Sequence, residues 1–104
     1  MDVEKEVKVI MWYFLVRLEN MRKWGAAHSE LNKVVNSLPS QFTESGKSKK
    51  SVKSAIKNLL NLGFIGVYKK TGEDHVSLNP RKAGEIKEFI RIVGESMKGN
   101  DYIR

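Results

Sequence analysis

Seven lysines supply the chemistry this sequence offers most openly. Lys47, Lys49, Lys50, Lys53, Lys57, Lys69 and Lys70 all fall between Ser45 and Gly72, a stretch without a single aspartate or glutamate. The whole chain carries 19 Lys and Arg against 12 Asp and Glu, a net charge of +7, and outside that stretch the basic and acidic residues cancel. Ordinary soluble surfaces intersperse both signs. A single-sign segment of this length points instead to a polyanionic partner such as a nucleic acid.

Covalent and acid–base chemistry finds less support. Gly46-Lys47-Ser48 ends like a phosphate-binding loop, but that pattern needs a glycine where Gln41 stands and a buried strand before it. Ser54-Ala55-Ile56-Lys57 has the serine–lysine spacing of penicillin-binding enzymes without their companion motifs. His28 and His75 are the only histidines, and there is no cysteine, so a metal site would have to be built mostly from carboxylates. Glu85 and Glu88 stand one helical turn apart among Lys82, Lys87 and Arg91, an arrangement that reads as surface ion pairing. No enzyme activity, cofactor or metal is expected.

A chain of 104 residues is enough for one domain with a modest core. The longest apolar run, Val9 to Val16, is far shorter than the roughly 20 residues a membrane-spanning helix requires. The N-terminus has no basic region followed by an apolar one, so a cytoplasmic protein without a membrane segment is expected.

The elements that would carry the lysines follow from hydrophobic period. Residues 1–23 form an N-terminal helix whose periodic face starts at Val3 and includes Val7, Ile10, Phe14 and Leu18, while Met11, Trp12, Tyr13, Leu15 and Val16 make its middle apolar nearly all round. A helix of that kind calls for cover on more than one side, and a second subunit is the natural cover. Ser29 to Ser37 reads as a shorter helix capped by Ser29, and Pro39 ends it. A polar loop of about ten residues runs from Leu38 to Lys47. Ser48 to Leu62 reads as a third helix capped by Ser48. Its apolar residues Val52, Ala55, Ile56, Leu59 and Leu60 lie on one face and its lysines largely on the other, with Gly63 as a left-handed stop. Residues 64–69 and 75–78 are strands of a hairpin. Asn79-Pro80 opens a last helix to about residue 98, with a heptad seam at Ala83, Ile86, Ile90, Val93 and Met97 and Phe89 beside it. Residues 99–104 are expected to fray. The fold class is therefore mainly α with a small β-hairpin, in one domain over residues 1–98.

This order, and above all the run Val52-Lys53-Ser54-Ala55-Ile56-Lys57-Asn58-Leu59-Leu60-Asn61-Leu62-Gly63-Phe64-Ile65, resembles the winged helix-turn-helix domains of prokaryotic and archaeal transcription regulators of the PadR-like and MarR-like kind. The likeness covers residues 25–79 and, in outline, the flanking helices. It implies a recognition helix at Ser48 to Leu62, a wing made by the hairpin, and double-stranded DNA as the partner. On that reading Lys47, Lys49, Lys50, Lys53, Ser54, Lys57, Asn58 and Asn61 face DNA, and Lys69 and Lys70 reach it from the wing. A homodimer is expected to pack through Val7, Ile10, Met11, Phe14 and Leu18 of the first helix and Ile86, Phe89, Ile90, Val93 and Met97 of the last, setting two recognition helices roughly 34 Å apart. The loop from Leu38 to Lys47 exceeds the usual three or four residues. Either it contains an extra turn around Ser40 to Phe42 or it makes a contact of its own through Lys47. The alternatives are a winged-helix module that binds an acidic protein, and an architectural or replication-associated DNA-binding protein without sequence preference.

Overall fold

A first helix, α1 (Asp2–Asn20), runs through the middle of the molecule in the computed structural model, which describes residues 2–98. It is followed by a two-residue strand β1 (Ser29–Glu30), a short helix α2 (Leu31–Asn36), a 3-10 turn at Ser40–Phe42 and the lysine helix α3 (Gly46–Asn61). Strands β2 (Ile65–Lys70) and β3 (Glu73–Leu78), a second 3-10 turn at Pro80–Lys82 and helix α4 (Ala83–Met97) complete it. The expected tail at 99–104 and the first residue of the expected domain lie outside the described residues. The chain is thus mainly helical with a small antiparallel sheet, ordered β1-β3-β2.

α1 ends earlier than its apolar pattern. Arg22 adopts a left-handed backbone (φ 58°), Arg22 N–H donates to Glu19 O at 2.9 Å, and Lys23 N–H donates to Leu18 O at 3.0 Å. That is the paired closure usually built on glycine. α3 ends the same way on Gly63 (φ 76°), with Gly63 N–H on Leu60 O and Phe64 N–H on Leu59 O. At its start the cap is Ser45, not Ser48. The Ser45 side chain accepts from Ser48 N–H at 3.0 Å, and the Ser48 hydroxyl turns inward to donate to Gln41 O at 3.0 Å. The Ser40–Phe42 turn thereby fills the long loop and seats Phe42, which is buried, in the core.

Ser29 is not a helix cap either. It lies in β1 and pairs with Val76, while Glu30 pairs with His75, and α2 begins at Leu31. The hairpin is longer than its β-prone residues indicate, because Glu73 and Asp74 pair with Lys70 and Lys69 around a two-residue turn at Thr71-Gly72.

The core gathers on α1. Ile10, Phe14, Leu15 and Leu18 are fully buried, together with Val34 of α2, Ala55 and Leu59 of α3, Val76 and Leu78 of β3 and Ile86 of α4. Helices α2, α3 and α4 and strand β3 all pack on α1, so one chain covers a helix that is apolar on nearly every side. The residues expected at a dimer surface take part in this core. Val7, Ile10, Met11, Phe14, Leu18, Ile86 and Met97 are buried inside the single chain, and Phe89, Ile90 and Val93 are half-buried against the same core. Trp12 joins α1 to α4 by donating its indole N–H to Ile90 O at 2.9 Å. Among the described residues every buried side-chain polar atom has a hydrogen-bond partner, and no helix is long and apolar enough to cross a membrane.

Candidate nucleic-acid interface

α3 owes its position to its own two faces. Val52, Ala55 and Leu59 go into the core, Ser48 and Ser51 are buried beside them, and the opposite side is left to solvent. Lys50, Lys53 and Lys57 share that outer side at spacings of three and four residues, and Asn61 continues it one turn on. Lys47 and Lys49 flank it at the N-terminal end, and all five lysines are exposed. Among the described residues none of the five is in an ion pair; the ion pairs are Lys69–Asp74, Lys82–Glu85, Arg91–Glu88 and Lys98–Glu95. Five like charges on one helix, with no counter-charge in contact, produce a local positive potential and keep every ammonium free to meet a phosphate.

Two of the expected contact residues turn elsewhere. Ser54 and Asn58 lie toward α1 and α4, where they line a groove of about 320 Å³ with Val7, Met11, Leu62 and Phe89. The Asn58 amide is spent within the helix, donating to Ser54 O at 2.8 Å. They are not brought together with the lysine row.

The hairpin lysines also differ from their reading along the chain. Lys69 Nζ is 3.1 Å from Asp74 Oδ1, and Lys70 stands opposite Glu73 in the register. Folding returns two carboxylates to the far end of the acid-free stretch. Among the described residues Lys69 is thus ion-paired, while Lys70 and the α3 lysines are not.

On the outer face of the sheet His28 and His75 meet, Nδ1 to Nδ1 at 2.9 Å, with Tyr68 set edge-on against His28 at a ring separation of 5.3 Å. The two histidines stand 47 positions apart in the sequence, so nothing local pairs them. The His28 imidazole is held below its ordinary pKa, first by removal from water and then by the charges of Lys70, His75 and Lys23. Among the described residues no cluster of three or more histidines and carboxylates could hold a metal ion. Glu85 and Glu88 each hold a cation of their own, at 3.6 Å and 2.7 Å, and the Arg91 hydrogen bond keeps the Glu88 carboxyl below the usual carboxylate range.

No family model, curated protein or solved structure matches this chain. The geometry of α3 and the hairpin therefore carries the functional reading alone.

Proposed function

We propose that this chain is a winged helix-turn-helix DNA-binding protein acting in transcription regulation, with α3 as the helix that enters the major groove. The observation that carries the reading is the row Lys50, Lys53 and Lys57, exposed and without an ion pair along the outer side of a core-anchored helix. A major groove about 12 Å wide admits such a helix, and the order β1, α2, α3, β2, β3 supports reading the hairpin as a wing. The helix is lysine-rich and arginine-free, so phosphate contact dominates and base discrimination is modest. Lys53 and Lys57 lie at the centre of the face, with Lys47, Lys49 and Lys50 on the N-terminal side. The wing adds Lys70 more than Lys69, whose charge Asp74 already occupies.

Fluorescence anisotropy with random-sequence duplex tests the proposal. The double variant Lys53→Glu/Lys57→Glu, both positions being exposed, is expected to keep its circular dichroism and melting temperature and to lose at least about 100-fold in affinity, as reversal of two phosphate contacts requires. Undiminished binding by the folded variant would overturn it.

A further inference from the structure

Beside the lysine row lies a surface that a polyanion does not explain. α2 and α3 enclose an open groove of about 300 Å³, walled by the half-buried Leu31 and Val35 of α2 and Ile56 of α3. Leu60, one turn beyond Ile56 on the same side of α3, is 42 % exposed and extends the apolar stripe. Lys49 and Lys53 stand on the rim, and among the described residues no acidic side chain lines the groove. Duplex DNA presents phosphate and sugar to such a flank and gives four aliphatic side chains little to bury against. Apolar anchors framed by one sign of charge are the complement of an amphipathic helix with the opposite charge.

We infer that the α2–α3 groove docks an acidic amphipathic helix of a partner protein. Its aliphatic residues, spaced three and four apart, pack on Leu31, Val35, Ile56 and Leu60, and its carboxylates meet Lys49 and Lys53. α2 has six residues, roughly 9 Å of helix, so the groove takes about two turns of the partner and two or three anchors. The apolar anchors lie on the flank of α3 beside α2, while Lys49 and Lys53 on the rim are shared with the proposed DNA-binding face, so peptide and duplex are expected to compete for those two lysines.

A synthetic acidic peptide of about 14 residues, with leucines at i, i+3 and i+7 and glutamates elsewhere, is the probe. Methyl NMR of the intact chain is expected to show saturable shifts at Leu31, Val35, Ile56 and Leu60. Leu60→Gln, at an exposed position, is expected to weaken binding at least about threefold with the melting temperature unchanged, as loss of one apolar anchor implies. A peptide with serine for leucine, and one with lysine for glutamate, should each bind at least about tenfold more weakly, since anchor and charge are both required. Equal binding of the serine peptide would reduce the contact to charge attraction and overturn the inference. So would shifts confined to the groove between α1 and α4, or a short duplex that moves the same four methyls while the acidic peptide leaves them unmoved.

Discussion

The imidazoles of His28 and His75 meet edge to face: their Nδ1 atoms are 2.9 Å apart, in rings inclined at 87°. One nitrogen donates and the other accepts, an arrangement lost when both rings are charged. Because folding lowers the pKa of His28, the unfolded chain takes up a proton there first as the pH falls. Stability from the pair is complete above the unfolded value near pH 6.5 and is lost as pH drops from there through the lower folded value. Thermal melts between pH 7.5 and 5 should show a falling Tm, and His28→Phe, which keeps a ring against Tyr68, should flatten that part of the curve. An identical slope in the variant would remove the pair from the explanation.

Among the described residues two with side chains occupy left-handed backbone: Arg22 at φ 58° and Thr71 at φ 52°. β-branched threonine is poorly suited to this region, and a two-residue hairpin turn with both residues at positive φ favours Asn-Gly. Thr71→Asn is expected to raise unfolding free energy by about 0.5–1 kcal/mol, and Arg22→Gly by about 1 kcal/mol, less what glycine costs in the unfolded chain. Urea denaturation measures both.

Gly94 sits where α4 meets Trp12. A Cβ there would lie 3.1 Å from the indole Nε1, the atom that donates to Ile90 O. Alanine normally stabilises a helix interior by about 1 kcal/mol over glycine. Here the gain is offset by the crowded indole and its hydrogen bond, worth about 1 kcal/mol. Gly94→Ala should leave stability unchanged or lower and shift the tryptophan emission.

The Lys69–Asp74 pair makes an opposite forecast for the hairpin. Asp74→Asn frees Lys69 and should tighten duplex binding. Lys50→Ala should lower the slope of log affinity against log salt by about one, whereas Lys69→Ala should change it less.

How far these features could be read in advance depended on whether their cause was local. The buried residues Val52, Ala55 and Leu59, the lysine row and the stop at Gly63 follow from neighbours within and just beyond α3, and here sequence and structure agree, whereas Ser54, Asn58 and Leu60 take other positions. The end of α1 was hidden because arginine performs a glycine's task at Arg22. β1 was invisible because Ser29 and Glu30 become a strand only by pairing with Val76 and His75. Long-range packing also decided the fate of α1, whose apolar circumference demanded cover without saying from where. Charge was legible as a total and misleading at one end, since the hairpin register places Asp74 and Glu73 against Lys69 and Lys70.

The hydrogen bonds at the base of the hairpin give it the mechanics of a cantilever. Leu78 N–H is held by Lys23 O at 2.8 Å, Leu78 O by Gly25 N–H at 2.9 Å, and Asn79 is bound to Phe64 O and Gly63 O. Beyond Val76 the strands leave the core, and the two turn residues are exposed. Deflection therefore grows with distance from the clamp, and the Lys70 ammonium rides at the free end. On the proposed DNA-binding reading, that places the Lys70 charge where the hairpin yields most, while α1 and α3 stay fixed by the core.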